Sequence, residues 1–191
     1  MARVPVTEKM TAEQFLALYQ PIHGPRRREL IDGEVVVNEP GALHGDVLLN
    51  IAVELVNWTR AGDRRGHAAI PRDVKLDKHN VFQPDVLWYA HGRVPDPHSP
   101  PPYAVPDIAV EVRSPSTWRY NLGAKRDRYE RDGLPELWLV DTVAQTVRVL
   151  RRSSPGAAAF DVTLELTDGD QLTSPLLPGF SLAVAEVFRL P

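Results

Sequence analysis

The chain contains no cysteine, which excludes disulfides and thiolate metal centres and leaves oxygen and imidazole as its only metal ligands. It also lacks any apolar run of about 18 residues, so no segment reads as a membrane span. The opening MARVPVTEKM has no apolar signal core, and a cytoplasmic protein is expected. Positive charge is not in excess: the formal charge of -3 excludes a protein that coats nucleic acid by charge alone. An enzyme with a local basic rim is still compatible with that charge. There is no internal repeat. What is present is ample core material, 43% hydrophobic residues in 191, enough for one domain over residues 1–191. The 18 prolines are dispersed, apart from a cluster at Pro95–Pro102.

Read in order, Thr11-Ala-Glu-Gln14 is a capping box opening a short helix with Phe15, Leu18 and Tyr19 on its apolar side. After Gly24–Pro25, Arg28–Ile31 and Glu34–Val37 flank Asp32-Gly33, a pair suited to a type I′ hairpin turn. Leu43 to about Thr59 carries the strongest helical periodicity, with Val47, Ile51 and Leu55 recurring every fourth residue. Strands are expected near Asp73–Leu76 and Val81–Trp88, with a turn at Asp77–Asn80 and a Pro-rich loop over His91–Pro102. Gln145–Arg151 and Phe160–Leu166 read as further strands, Asp168-Gly169 as a turn, and Val184–Phe188 as a closing helix. This mixture predicts an α+β or α/β fold with one central sheet and few helices.

The stretch the rest serves is PDIAVEVRSPSTWRYNLGAKRDRYERDGLPELWLVD, Pro106 to Asp141. Asp107–Arg113 alternates, with Ile108, Val110 and Val112 on one face and Asp107, Ala109, Glu111 and Arg113 on the other. A carboxylate among apolar neighbours needs a partner. The following helix, ended by Gly133 and Pro135, supplies a candidate in Lys125, spaced to share a face with Leu122 and Tyr129.

These words, together with ELIDGEVVV, His44, QPDV at Gln83–Val86 and SPLLPGF at Ser174–Phe180, resemble the Uma2 family (DUF820) of the PD-(D/E)XK nuclease superfamily. The resemblance spans nearly the whole chain and implies a restriction endonuclease-like fold, a mixed central sheet flanked by helices. It also implies a Mg²⁺- or Mn²⁺-dependent endonuclease acting on DNA, with Asp85 and Glu111 as catalytic metal ligands. The superfamily lysine usually follows the acid by two residues, where this chain has Arg113. Uma2-like sequences place it in the next helix, which assigns the role to Lys125. Arginine hardly deprotonates, though it can clamp phosphate.

His44 and Glu34 match family positions as auxiliary residues, whereas Asn121 stands where related sequences carry Asp. An asparagine there could still cap the helix. Pro106-Asp107 is a second copy of the motif, but Asp107 lies two pleats from Glu111, about 6–7 Å along the strand. Trp118, Tyr129 and Trp138 could stack on bases, with core packing the competing use for the last two. Arg26–Arg28, Arg64–Arg65 and Arg126, Arg128 and Arg131 are basic clusters from which phosphate contacts would come.

A different reading of the same residues has Asp85 closing a Pro-broken strand and Glu111 in a structural ion pair with Lys125 or Arg113. The protein would then be a catalytically silent binding or assembly module, separated from the enzyme by whether it binds a divalent ion. A homodimer is also expected, because Gln145–Arg151 reads as an exposed strand and the apolar run Leu176–Leu190 exceeds what a small core needs.

Overall fold

The computed structural model describes residues 9–18 and 27–190. The first helix, α1 (Ala12–Ala17), starts on the expected capping box: Gln14 N donates to Thr11 Oγ1 at 3.2 Å, and Thr11 N to Gln14 Oε1 at 2.7 Å. Phe15 is buried beneath it, whereas Leu18 is exposed. Tyr19, Gly24–Pro25 and Arg26 lie outside the described residues. Asp32 and Gly33 both take left-handed backbone angles, φ 49° and 82°, which close β1 (Arg27–Ile31) and β2 (Glu34–Asn38) into the expected hairpin. The periodic segment forms α2 (Ala42–Arg60), burying Val47, Ile51 and Leu55.

Short strands follow: β3 (His67–Ala69), β4 (Val74–Asp77), β5 (Asn80–Phe82) and β6 (Val86–Tyr89). The expected single strand over Val81–Trp88 is in fact two. Pro84 offers no backbone N–H to continue a ladder, and the chain changes sheets there. After the long loop come β7 (Ile108–Val112), α3 (Trp118–Leu122), α4 (Ala124–Arg131), β8 (Glu136–Asp141), β9 (Thr146–Arg151) and β10 (Val162–Leu166). A two-stranded ribbon, β11 (Gln171–Leu172) with β12 (Leu182–Ala183), and helix α5 (Val184–Val187) end the chain.

The central sheet has six strands in the order β10-β9-β8-β7-β6-β3, parallel only between β7 and β8 and antiparallel elsewhere. The parallel pair is the βαβ unit whose crossover is α3 and α4. A second, antiparallel sheet, β2-β1-β5-β4, was not expected from the sequence. Alternation along the strands separates two cores. Val86, Trp88, Ile108, Val110, Trp138 and Val140 pack on α2 and on Leu172, Leu177, Phe180, Val184 and Val187. Ala109, Leu137, Leu139 and Leu150 face the other way, toward Tyr129, Leu134, Phe82 and Ile31. Glu111 shares the parity of Ala109, so it points into the seam between the central sheet, α4 and the second sheet.

Candidate active site

Asp85 sits at the sheet change, immediately ahead of β6. Its backbone N–H donates to Val110 O at 2.8 Å, and its Oδ2 accepts from Val112 N at 2.8 Å. The carboxylate is thereby fixed beside β7, next to Glu111. Oδ1 takes the charged contacts: Arg27 Nη1 of β1 donates to it, and His44 Nε2, in the first turn of α2, lies 3.1 Å away but off the hydrogen-bond line.

Glu111 is buried and meets Lys125 Nζ at 2.7 Å through Oε1, which also accepts the Tyr129 hydroxyl at 2.7 Å. Lys125, only 1% exposed, reaches a second acid that the sequence reading passed over: Nζ donates to Glu29 Oε1 of β1 at 2.8 Å. The same Glu29 oxygen accepts Gln83 N at 2.7 Å, and the ammonium lies 5.4 Å from the Phe82 ring centroid. Each piece of the chain serves this point. The hairpin carries Glu29 and Arg27, the sheet change carries Asp85, β7 carries Glu111, and α4 carries Lys125 and Tyr129 one turn apart.

Burial pushes the Glu111 carboxyl up to about 8; Lys125 opposes that, and the Glu29 and Asp85 charges add to it. Burial alone would lower Lys125, but the Glu111 and Glu29 carboxylates outweigh it and hold the ammonium above its ordinary value. Tyr129 is raised by burial and then by the neighbouring acids, so it stays a hydrogen-bond donor. Three acidic side chains, Asp85, Glu111 and Glu29, meet two basic ones, Arg27 and Lys125, at this point.

Several other candidates are occupied elsewhere. Arg113 Nη1 donates to both oxygens of Asp141 at 2.9 Å and lies over Trp118 at 5.7 Å, so the guanidinium is committed to the end of β8. Asp107 accepts from Ala90 N at 2.7 Å and pairs with Arg93. Glu34 is exposed at the hairpin turn, paired with Ile31, and is not brought to the cluster. Asn121 caps nothing: it is buried inside α3, its Oδ1 has no partner, and Gly123 stands at the N-terminus of α4. Gly123 also breaks the helical count, which is why Leu122 is exposed although Lys125 and Tyr129 are buried.

Trp138 is a core residue, stacked on Phe180 and donating to Glu136 at 2.6 Å. Tyr129 is core as well, but its hydroxyl belongs to the site. Arg128 pairs with Asp77 and Asp132, and Arg126 with Asp127 and Glu130. Arg65 donates to Trp58 O at 3.0 Å, while Arg28, Arg64 and Arg131 lie on exposed faces.

Among the described residues no three or more histidine or acidic side chains are arranged to hold a metal ion. Mg²⁺ needs fewer: one or two carboxylates with waters and substrate phosphate suffice. Asp85 and Glu111 offer hard carboxyl oxygens on neighbouring strands, so the donor set fits such an ion.

A mixed central sheet flanked by helices is the restriction endonuclease-like arrangement. Residues 12–185 match the family model Uma2, described as "Putative restriction endonuclease", and the chain belongs to that family. Among solved structures it is similar to "a putative nuclease belonging to DUF820" from Anabaena variabilis, with TM-score 0.76 at 18% identity over 94% of this chain and 97% of that one. No curated protein matches it.

Proposed function

We propose that this chain is a Mg²⁺- or Mn²⁺-dependent endonuclease hydrolysing DNA phosphodiesters, with Asp85 and Glu111 as metal ligands and Lys125 as the charge-stabilising cation. The observation that carries the reading is a fully buried lysine held between two acids, beside a third whose second oxygen is pinned by backbone. Structural need alone does not favour such a cluster, because buried ion pairs seldom stabilise more than an apolar replacement. A bound divalent ion supplies Lewis acidity to the phosphoryl group and a more acidic water.

The side chains divide the remaining work. Val112 N and Tyr129 hold the two carboxylates in fixed orientations. Lys125, raised above its ordinary value, keeps its proton at neutral pH and so stabilises negative charge at the reacting phosphate. Glu29 positions that ammonium and ties the second sheet to the site.

One observation favours the silent-module reading. Both Asp85 oxygens and the Lys125 ammonium are already engaged within the chain, which a purely structural network would also require. Plasmid cleavage in Mg²⁺ or Mn²⁺, with EDTA as the control, separates the two. The enzyme reading expects cleavage by wild type that EDTA abolishes and Glu111→Gln lacks. Metal-dependent cleavage that is equal in both proteins contradicts the site, and no cleavage by wild type favours the module.

A further inference from the structure

We propose that Arg27 is the protein's own counter-ion at the metal-facing oxygen of Asp85, and that it passes to a phosphate of bound nucleic acid once a divalent cation takes that oxygen. The inference rests on the reading of Asp85 and Glu111 as metal ligands.

The two oxygens of Asp85 are not equivalent. Oδ2 is fixed by Val112 N at 2.8 Å, so a cation finds its place at Oδ1, the oxygen that Arg27 Nη1 addresses. Without a cation a buried carboxylate needs such a partner, since an unpaired one is strongly destabilising. With a divalent ion at Oδ1 the guanidinium meets a like charge, and its contact with Asp85 loses its electrostatic reason.

Arg27 is also placed to leave. Its side chain is 26% exposed against 3% for Asp85, so it stands on the solvent side of the pair. Its backbone is held in β1 opposite Asn38, and Asn38 Oδ1 accepts Ser114 Oγ at 2.8 Å. The main chain stays in place while the long side chain turns. A guanidinium carries five donors in a fork that suits phosphate, and one of them is used on Asp85. By contrast Lys125 is closed in by Glu29 and Glu111, and Arg113 by Asp141. Of the cations touching this network, Arg27 alone among the described residues combines contact with a proposed metal ligand and an exposed flank.

The test measures Mn²⁺ affinity by calorimetry without DNA, for wild type, Arg27→Met and the exposed neighbour Arg28→Met. Arg27→Met should bind Mn²⁺ about fivefold or more tightly, the scale of a modest coupling free energy, and Arg28→Met should match wild type. Arg27→Gln, which keeps a hydrogen bond without charge, should fall between and guards against misfolding of the first variant; melting curves verify each protein. Equal or weaker binding by both Arg27 variants, with wild type still binding Mn²⁺, overturns this inference and leaves the metal reading standing. No binding by any of the proteins overturns both. In a second arm, a labelled DNA duplex is titrated in Ca²⁺ over a salt series. Losing the phosphate contact should reduce the salt slope by about one charge in Arg27→Met. An unchanged slope overturns the transfer to phosphate.

Discussion

Lys125 is where the energetics and the chemistry of this protein meet. Removing its charge leaves Glu29 and Glu111 facing each other in a buried site, so Lys125→Met should cost about 3–5 kcal/mol of stability, measured by urea unfolding. Cleavage assayed below that variant's melting range should fall by about two to four orders of magnitude, the usual contribution of a positioned charge-stabilising group. Arg113→Ala removes a cation bound to Asp141 instead and should leave cleavage within about threefold of wild type, since it touches neither acid of the site. A larger loss at Arg113 than at Lys125 would mean the family's lysine role had been assigned to the wrong residue. Glu29 was hidden from sequence reading for a physical reason. It lies in a strand whose same face carries Arg27 and Ile31, so alternation gives no sign of burial. The available signals were the word ELIDGEVVV, which Glu29 opens, and the three donors of a buried ammonium, which one acid does not satisfy.

At the scale of elements, local chemistry was legible and sheet membership was not. The capping box at Thr11, the Asp-Gly hairpin and the α2 periodicity are short-range features, and each formed as the residues dictate. Pro84 was the readable sign of the strand break, but which sheet each half joins depends on long-range pairing that no local pattern carries. Close approach sets Gly66 apart: with φ 74°, an added Cβ would lie 2.0 Å from Tyr89 O. Gly66→Ala should therefore cost about 2 kcal/mol or more, whereas Gly156→Ala, which meets nothing, should change the unfolding midpoint little.

Glu136 gives the fold a pH signature. Buried at the start of β8, it accepts Trp138 Nε1 and Ser174 Oγ and pairs with Arg151, and burial raises its carboxyl above the ordinary 4.5. Below that value it is protonated folded or unfolded, and stability is indifferent to its titration. Above it the unfolded chain releases the proton first, so this group's contribution falls as pH rises, until the folded carboxyl also ionises. Melting temperatures from pH 4 upward should show that decline in wild type, and Glu136→Gln should make it shallower, the raised Glu111 carboxyl supplying the part that remains; an equal slope in both would place the titration elsewhere.

For the whole molecule, the central sheet and the second sheet meet over the acid cluster, and the long segment after β10 closes the opposite face. Leu172, Leu177, Phe180, Leu182, Val184 and Val187 are buried in the chain's own core, and β9 lies between β8 and β10. Most of the apolar residues that suggested a dimer are therefore used within one chain, whereas Leu176 and Leu190 stay exposed. Among the described residues no helix is long and apolar enough to cross a membrane.

At the seam both sheets, α2 and α4 contribute acidic or basic side chains to a single buried point, and the central claim is that a divalent cation binds there. Mn²⁺ titration by calorimetry of wild type beside Glu111→Gln tests it most directly. The amide keeps the shape of the carboxylate and removes its charge, so wild type should bind one Mn²⁺ per chain, and the variant should lose that binding. Equal Mn²⁺ affinity in the two proteins, or no binding by wild type, would contradict the account.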